Sequence, residues 1–502
     1  MKHTYAKWLY IAVCLTLCAG MCLSFWYTGG FLPRSYGFDT ADEENFVMVE
    51  ADAFQSLLPK NVTKIVFSDR ISPYAAEVTD FSARRCKGVV GWYEGDKYII
   101  STRTKGQKVI FHPESQGLFA GLSSLGEIAF DMADTSRVTD FMRFFYNCTA
   151  LSRVDISSFR FDSAIRTRSM FMNCTSLSSV TVGEVDTSTI RDTAFMFSGT
   201  VALEQIDLSH CDFSAVICST AMFQSCGAKV ILLPDSLGVL GAMFLNHAAA
   251  YGGDTFTLPI SAKELSGAHL FYNFGTDAFC AFVVPDGNPY FKTVDGVLYS
   301  ADGTRLLALP KGKRFEDGVF EIPEGVTLLG ELCFSRNPYA ETVLLPNSYR
   351  VCLYKEQNHA DFSDISGAGN KNVGNSLNIA IYTYSGVKAF AVRDDNAFYI
   401  AVDGVLYEKD EGGTPRTLVA VPVGFVGTLD VPDGVSEWNE DALFEISSAD
   451  FASLTAIHIP ASLTLIAESQ ISKINSLDIA VTVDEGNPVY TVDGEGKLCK
   501  RS

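Results

Sequence analysis

Phe145-Tyr-Asn-Cys148-Thr-Ala-Leu151-Ser-Arg-Val154-Asp-Ile156-Ser-Ser-Phe159 decides the fold, because the chain says it again and again. Its first phenylalanine belongs to a column, Phe119, Phe145, Phe171, Phe197 and Phe223, with a constant step of 26 residues. Leu125, Leu151, Leu177 and Leu203 keep that step, as do Ile128, Val154, Val180, Ile206 and Leu232, and again Phe130, Ile156, Val182 and Leu208. Four columns in phase do not arise from composition. A fixed period of about 20–50 residues means that each repeat is one coil of a solenoid, its apolar face buried only by its neighbours. Such folds bind through an extended surface rather than carry out chemistry in a pocket.

Within a unit, L-x-x-V-x-I places a short strand at Val154–Ile156, with alternate residues inward. The spacing resembles the leucine-rich repeat, L-x-x-L-x-L-x-x-N. Phe159, Val185 and Cys211 stand where that family carries asparagine. The resemblance therefore implies apolar stacking in place of the family's side-chain amide ladder. Asp134 to Leu151, and Met170-Phe-Met-Asn-Cys174-Thr-Ser-Leu177, resemble the repeat of BspA-like bacterial surface proteins more closely still. The fold expected is a β-rich solenoid, a leucine-rich-repeat array of short parallel strands.

Regular 26-residue coils are expected over residues 118–250, and irregular BspA-type coils with inserted hairpins over 251–502. Three phrases in the second half carry Asp-Gly between apolar runs: Val294-Asp-Gly-Val297, Val402-Asp-Gly-Val405 and Val492-Asp-Gly494. Each reads as a tight hairpin. Ile322-Pro323, Val431-Pro432 and Ile459-Pro460 resemble the irregular repeat, in which proline closes the strand. Residues 360–378, rich in Gly, Asn, Ser and Asp, read as a loop. Residues 38–117 show no phase and read as a cap for the first coil.

The first 28 residues stand apart. Lys2, His3 and Lys7 precede an uncharged run from Trp8 to Tyr27, long enough to span a bilayer. This is either a retained signal anchor, which its length favours, or a cleaved signal peptide. Both export the chain, to the extracellular face of the membrane or into the medium. No apolar tail follows Lys497-Leu-Cys-Lys-Arg-Ser502, so the expected tether is N-terminal. The formal net charge of −20 argues against nucleic acid, which needs a basic surface. Cys148, Cys174 and Cys226 fall in one repeat column and read as buried thiols. No paired C-x-x-C spacing offers a zinc site.

Outward positions on the strands give the candidate binding surface, a short-chained, polar concave strip on which Arg153, Asp155, Thr181, Gln205 and Asp207 are the candidate residues. It lacks the Trp, Tyr and Arg anchors that dominate interfaces, so an ordinary solvated sheet face is the competing reading. Asp295-Gly296 and Asp302-Gly303 read as turns rather than a calcium loop. Asn61-Val-Thr63, Asn147-Cys-Thr149 and Asn173-Cys-Thr175 are formal glycosylation sequons. The histidines are scattered and Gly121 to Gly126 is one residue too long for a nucleophile elbow, so no catalytic residue, cofactor or metal is expected. The resemblance implies surface binding or adhesion, with host, matrix or cell-surface proteins as partners. A non-catalytic scaffold of the envelope is the alternative.

Overall fold

The structure, a computed structural model, describes residues 43–71, 77–240, 243–244, 253–265, 276–330, 333–334, 337–349, 386–443 and 453–501. The expected N-terminal span and the 360–378 loop lie outside these residues. No described helix is long and apolar enough to cross a membrane.

Short parallel strands dominate, and one repeat of sequence becomes one rung of a ladder. Strand Arg153–Asp155 pairs with Ser179–Thr181, Val154 opposite Val180. Strand Gln205–Asp207 pairs with Val230–Leu232, but Ile206 lies opposite Ile231 and not Leu232. That corrects the inward column. Cys174 precedes Val180 by six positions, whereas Cys226 precedes Ile231 by five. Because side chains alternate faces, the lost residue turns Ile231 inward, 5% exposed, and leaves Leu232 outside at 47%.

The phenylalanine column is a pile of rings. Successive centroids from Phe119 to Phe223 lie 5.3–5.8 Å apart with planes within 11°. The pile gains a sixth member, Phe244, beyond the regular period. At its other end Phe54, from helix Ala51–Leu57, meets Phe119 edge-on at 5.5 Å, a favourable aromatic geometry. A second parallel ladder of single-residue bridges runs through Asp140, Arg166, Asp192 and Cys218. Cys148 and Cys174 are free and buried, their thiols donating to the Phe119 and Phe145 carbonyls.

Two turn positions per repeat are left-handed: Gly117, Arg143, Ser169, Phe195 and Ala221 in one column, Gly121, Asn147, Asn173, Gly199 and Ser225 in the other. Asn173 Nδ2 donates to Asn147 Oδ1 at 3.0 Å. An amide contact between repeats therefore exists, though not at the family's asparagine position. There, rings pack instead, Phe159 against Phe130 at 4.8 Å.

Residues ahead of the repeats join the same architecture. Strand Lys64–Ser68 pairs in parallel with Lys97–Ser101 on one side and with Glu127–Ala129 on the other. Val90–Glu94 and Thr79–Asp80 complete this sheet.

In the second half, Phe291–Val294 and Val297–Ser300 form a hairpin about Asp295-Gly296, and Tyr399–Val402 and Val405–Lys409 another about Asp403-Gly404. All four turn residues have positive φ, 49° and 73°, then 50° and 80°, as a two-residue type I′ turn requires. Asp493-Gly494 departs from that expectation. Val492 pairs with Leu498, so the loop has five residues, and Asp493 Oδ1 accepts the Glu495 and Lys497 amides.

These hairpins divide the interior. Leu298 faces the first core, whereas Val297 and Tyr299 face the second. Leu406 faces the second, whereas Val405 and Tyr407 face the third. Both tips also close a parallel sheet, since Phe282 N–H donates to Gly296 O and Phe390 N–H to Gly404 O, each at 2.8 Å. Buried asparagines tie successive units. Asn337 Nδ2 donates to the Pro310 and Lys313 carbonyls while its Oδ1 accepts the Tyr339 and Ala340 amides. Asn487 repeats the arrangement with Pro460, Leu463, Val489 and Tyr490. The proline phrases turn the chain after each strand, with Val326, Val435 and Leu463 N–H donating to the Pro323, Pro432 and Pro460 carbonyls.

Candidate binding surface

The strands present side chains in an exposed–buried–exposed pattern set by the backbone pleat. Arg153, Asp155, Thr181, Gln205 and Asp207 are all exposed. The ladder brings the first three together, Asp155 directly opposite Thr181. Gln205 and Asp207 sit on a separate pair of strands, opposite Val230 and Leu232. Among the described residues no strand ladder joins Ser179–Thr181 to Gln205–Asp207. Glu204 N–H still reaches Ser178 O at 3.4 Å.

The two aspartates have local work. Ser157 N–H donates to Asp155 Oδ1 at 2.9 Å. Ser209 donates both its hydroxyl and its amide to Asp207 Oδ1, at 2.6 and 2.9 Å. Those two bonds, the hydroxyl's first, hold the Asp207 carboxyl below its ordinary range. The same Asp-x-Ser turn recurs at Asp186 and Asp212. These are Asx turns, in which a carboxylate replaces a missing backbone acceptor. Among the described residues no turn of this kind engages Arg153, Thr181 or Gln205, which leaves them the freer side chains of the strip.

Sequence reasoning missed both ends of this surface. At one end Lys64 joins it, 3.1 Å from Asp96 and 3.5 Å from Glu127. At the other it turns apolar, with Val230 46% and Leu232 47% exposed. The shortened spacing after Cys226 was the available signal. A cavity of about 20 Å³ lies behind the strip, lined by Ile156, Val182, Val185, Met196, Leu208 and Phe213 among others. It is too small and too apolar to be a substrate pocket. Among the described residues no three metal-ligating side chains converge.

Residues 115–231, less than half of the chain, match a family model described as "Mycoplasma protein of unknown function, DUF285". No curated protein matches the chain. Several solved structures are similar to it, among them the following three. A leucine-rich cell surface protein from Faecalibacterium prausnitzii is 17% identical, over 85% of this chain and 89% of the other, with a TM-score of 0.42. The pneumococcal vaccine antigen PcpA is 14% identical, over 85% and 90%, with a TM-score of 0.34. A leucine-rich-repeat protein from Eubacterium ventriosum is 14% identical, over 79% and 82%, with a TM-score of 0.35. Superpositions this loose carry no information on ligand or role. Residues 115–231 are thus similar to that bacterial family, and the chain resembles the leucine-rich-repeat surface proteins of the BspA type.

Proposed function

We propose that the chain is a leucine-rich-repeat solenoid held outside the cell, tethered by its N-terminal apolar run, which binds proteins of a host, matrix or neighbouring cell without catalysis or cofactor. The observation that carries this reading is a set of parallel strand pairs whose outward side chains stand exposed in register. Arg153, Thr181 and Gln205, flanked by Asp155 and Asp207, are the proposed contacts. Affinity on such a strip comes from many weak contacts, raised by avidity when several copies share a membrane.

The test is binding of residues 43–502 to immobilised extracellular-matrix proteins, measured for the wild type and for Arg153→Ala combined with Gln205→Ala. These two changes spare the Asx turns, so loss of affinity of roughly tenfold at an unchanged melting temperature supports the strip. No saturable binding, or binding indifferent to the pair, counts against it. The scaffold reading is favoured by one observation, the commitment of the Asp155 and Asp207 carboxylates to their own turns.

A further inference from the structure

Two loops at one end of the N-terminal sheet carry a charge opposite to that of the chain. Residues 82–88 and 101–108 hold six basic side chains, Arg84, Arg85, Lys87, Arg103, Lys105 and Lys108, and no acidic one, whereas the whole chain carries −20. Strand pairing brings the loops to the same end, because Val90 lies opposite Asp80 on one side and Ser101 on the other. Arg103 Nη2 donates to Lys87 O at 2.7 Å and joins them. Arg85, Lys87 and Lys108 are exposed, and among the described residues their side chains form no ion pair. Lys105 stands 3.1 Å from Asp69 with its side chain still 91% exposed. The other nearby carboxylates are engaged. Asp80 accepts the Ser82 and Lys87 amides, and Glu43 and Glu44 pair with Arg137. Arg85, Lys87 and Arg103 all have positive φ, where glycine is favoured, so turn geometry does not call for these cations.

The chain enters the fold between the two loops. Met48 bridges Ser82 in antiparallel fashion, and Val47 bridges Ile110 in parallel. Ala83 N–H donates to Val47 O and Met48 N–H to Ile110 O, each at 2.9 Å. Just upstream, Cys86 Sγ donates to Asn45 O at 3.6 Å. Fifteen residues, 28–42, separate Glu43 from the apolar run that ends at Tyr27. Even fully extended they span no more than about 50 Å. The root of the described chain is therefore bracketed by cations and held within reach of whatever surface takes up the run.

We propose that these loops form a membrane-facing surface whose occupant is the anionic phospholipid headgroups of the bilayer that holds the N-terminal run. The proposal rests on the reading of that run as a tether and adds an electrostatic contact made by the folded chain itself. Lysine and arginine beside a membrane segment gain about fivefold in affinity for an anionic lipid surface per cation. At about 0.15 M salt the screening length is roughly 8 Å, so headgroups feel the loops rather than the distant net charge.

The full chain is reconstituted into vesicles of phosphatidylcholine alone and of phosphatidylcholine with an equal share of phosphatidylglycerol. Flotation reads the tether. The rate of lysine acylation at Lys87 and Lys108, measured by mass spectrometry against the exposed Lys229, reads the loops. Expected are flotation with both vesicles and protection of the two lysines on the anionic ones alone. Near 1 M salt, where screening falls to roughly 3 Å, protection should vanish while flotation persists. Arg85→Gln with Lys108→Gln should weaken the contact read at Lys87 by roughly 25-fold, about fivefold per cation. Arg153→Ala with Gln205→Ala should leave it unchanged. The melting temperature is read alongside, and if the glutamine pair lowers it, the charge-preserving Arg85→Lys with Lys108→Arg must keep the protection. Equal labelling on both vesicles overturns the proposal and leaves the tether standing. Flotation with anionic vesicles alone, with both lysines protected, supports the loops and removes the tether. Flotation with neither removes both. Protection by soluble polyphosphate on phosphatidylcholine vesicles, as strong as that given by phosphatidylglycerol, also overturns the proposal, because the occupant is then a phosphate polymer in solution.

Discussion

Single residues here are governed by the turns. Each repeat asks for two left-handed positions, and of the ten in the two regular columns only three, Gly117, Gly121 and Gly199, are glycine. A side chain in that region costs about 1–2 kcal/mol, because Cβ crowds the following carbonyl. Ser225 is exposed at φ 54°. We expect Ser225→Gly to raise stability by about 1 kcal/mol in urea titration, and a destabilised variant would remove the strain argument. Gly199→Ala should do the reverse, since its φ is 74° and a Cβ there would lie 2.5 Å from Asn173 Oδ1. Asp302 shows the same economy in its electrostatics. Its carboxylate accepts first the Ser300 hydroxyl and then the Thr304 amide and hydroxyl, which hold its pKa down to about 2 against an ordinary 3.8. A depressed carboxylate stabilises the fold fully above its unfolded pKa and loses that contribution as pH falls through the folded one. The melting-temperature gap between wild type and Asp302→Ala should therefore be constant above about pH 5 and close as the pH falls toward 2. Because the group is exposed, the gap will be modest, and a gap that widens on acidification would reverse the assignment.

Elements were legible wherever the repeat grammar is local, and illegible wherever a residue is dropped or a neighbour decides. The strand pattern and the two Val-Asp-Gly-Val hairpins follow from alternation and turn chemistry within a few residues. The same Asp-Gly phrase fails at Asp493, because Glu-Gly-Lys follows it rather than Val-Leu-Tyr, and no apolar strand waits to fix a tight register. Leu232 was misplaced because a deletion of one residue does not disturb composition yet exchanges faces. Of the strip, exposure could be read from the pleat, whereas the capture of Asp155 and Asp207 by their own turns was carried by the local Asp-x-Ser spacing. The pairing of the strands depends on which rungs meet. The hairpin contrast is testable. Gly296→Ala should destabilise by about 1 kcal/mol or more, since φ is 73° and a Cβ would meet that of Ala281 at 2.6 Å. Gly494→Ala should be nearly neutral, having nothing within 4 Å. Equal costs in thermal melts would erase the distinction between the turns. The third repeat offers a gain instead. Val182 and Val185 stand where neighbouring units have Ile156 and Phe159, remain half-buried, and border the small cavity. Val185→Leu adds one methylene toward that space and should stabilise by up to about 0.8 kcal/mol. A loss would mean that the cavity cannot admit it.

At the scale of the molecule, three large cores among the described residues stand in series and share walls. In a linear array stability is a sum of unit and neighbour terms, so damage on one side of a wall should stay largely on that side. Strand Val405–Lys409 is such a wall, with Leu406 buried in the second core and Tyr407 in the third. Both side chains are at most 1% exposed. Leu406→Ala removes apolar volume from the second core, at a cost of about 2–5 kcal/mol. Amide exchange should then accelerate in strands Val319–Glu321, Thr342–Leu345 and Ala389–Val392, which pair with one another. Tyr407→Ala, at a comparable cost of about 3–5 kcal/mol, should instead accelerate Gly427–Asp430, Leu454–Ile459 and Ala480–Val483, the sheet over the third core. Adjacent positions on one strand thus report on different sheets, because successive side chains point to opposite faces. Hydrogen exchange read by mass spectrometry separates the two patterns. If either substitution accelerates both sheets equally, the cores behave as one cooperative unit, and the hairpins divide the interior in space without dividing it in energy.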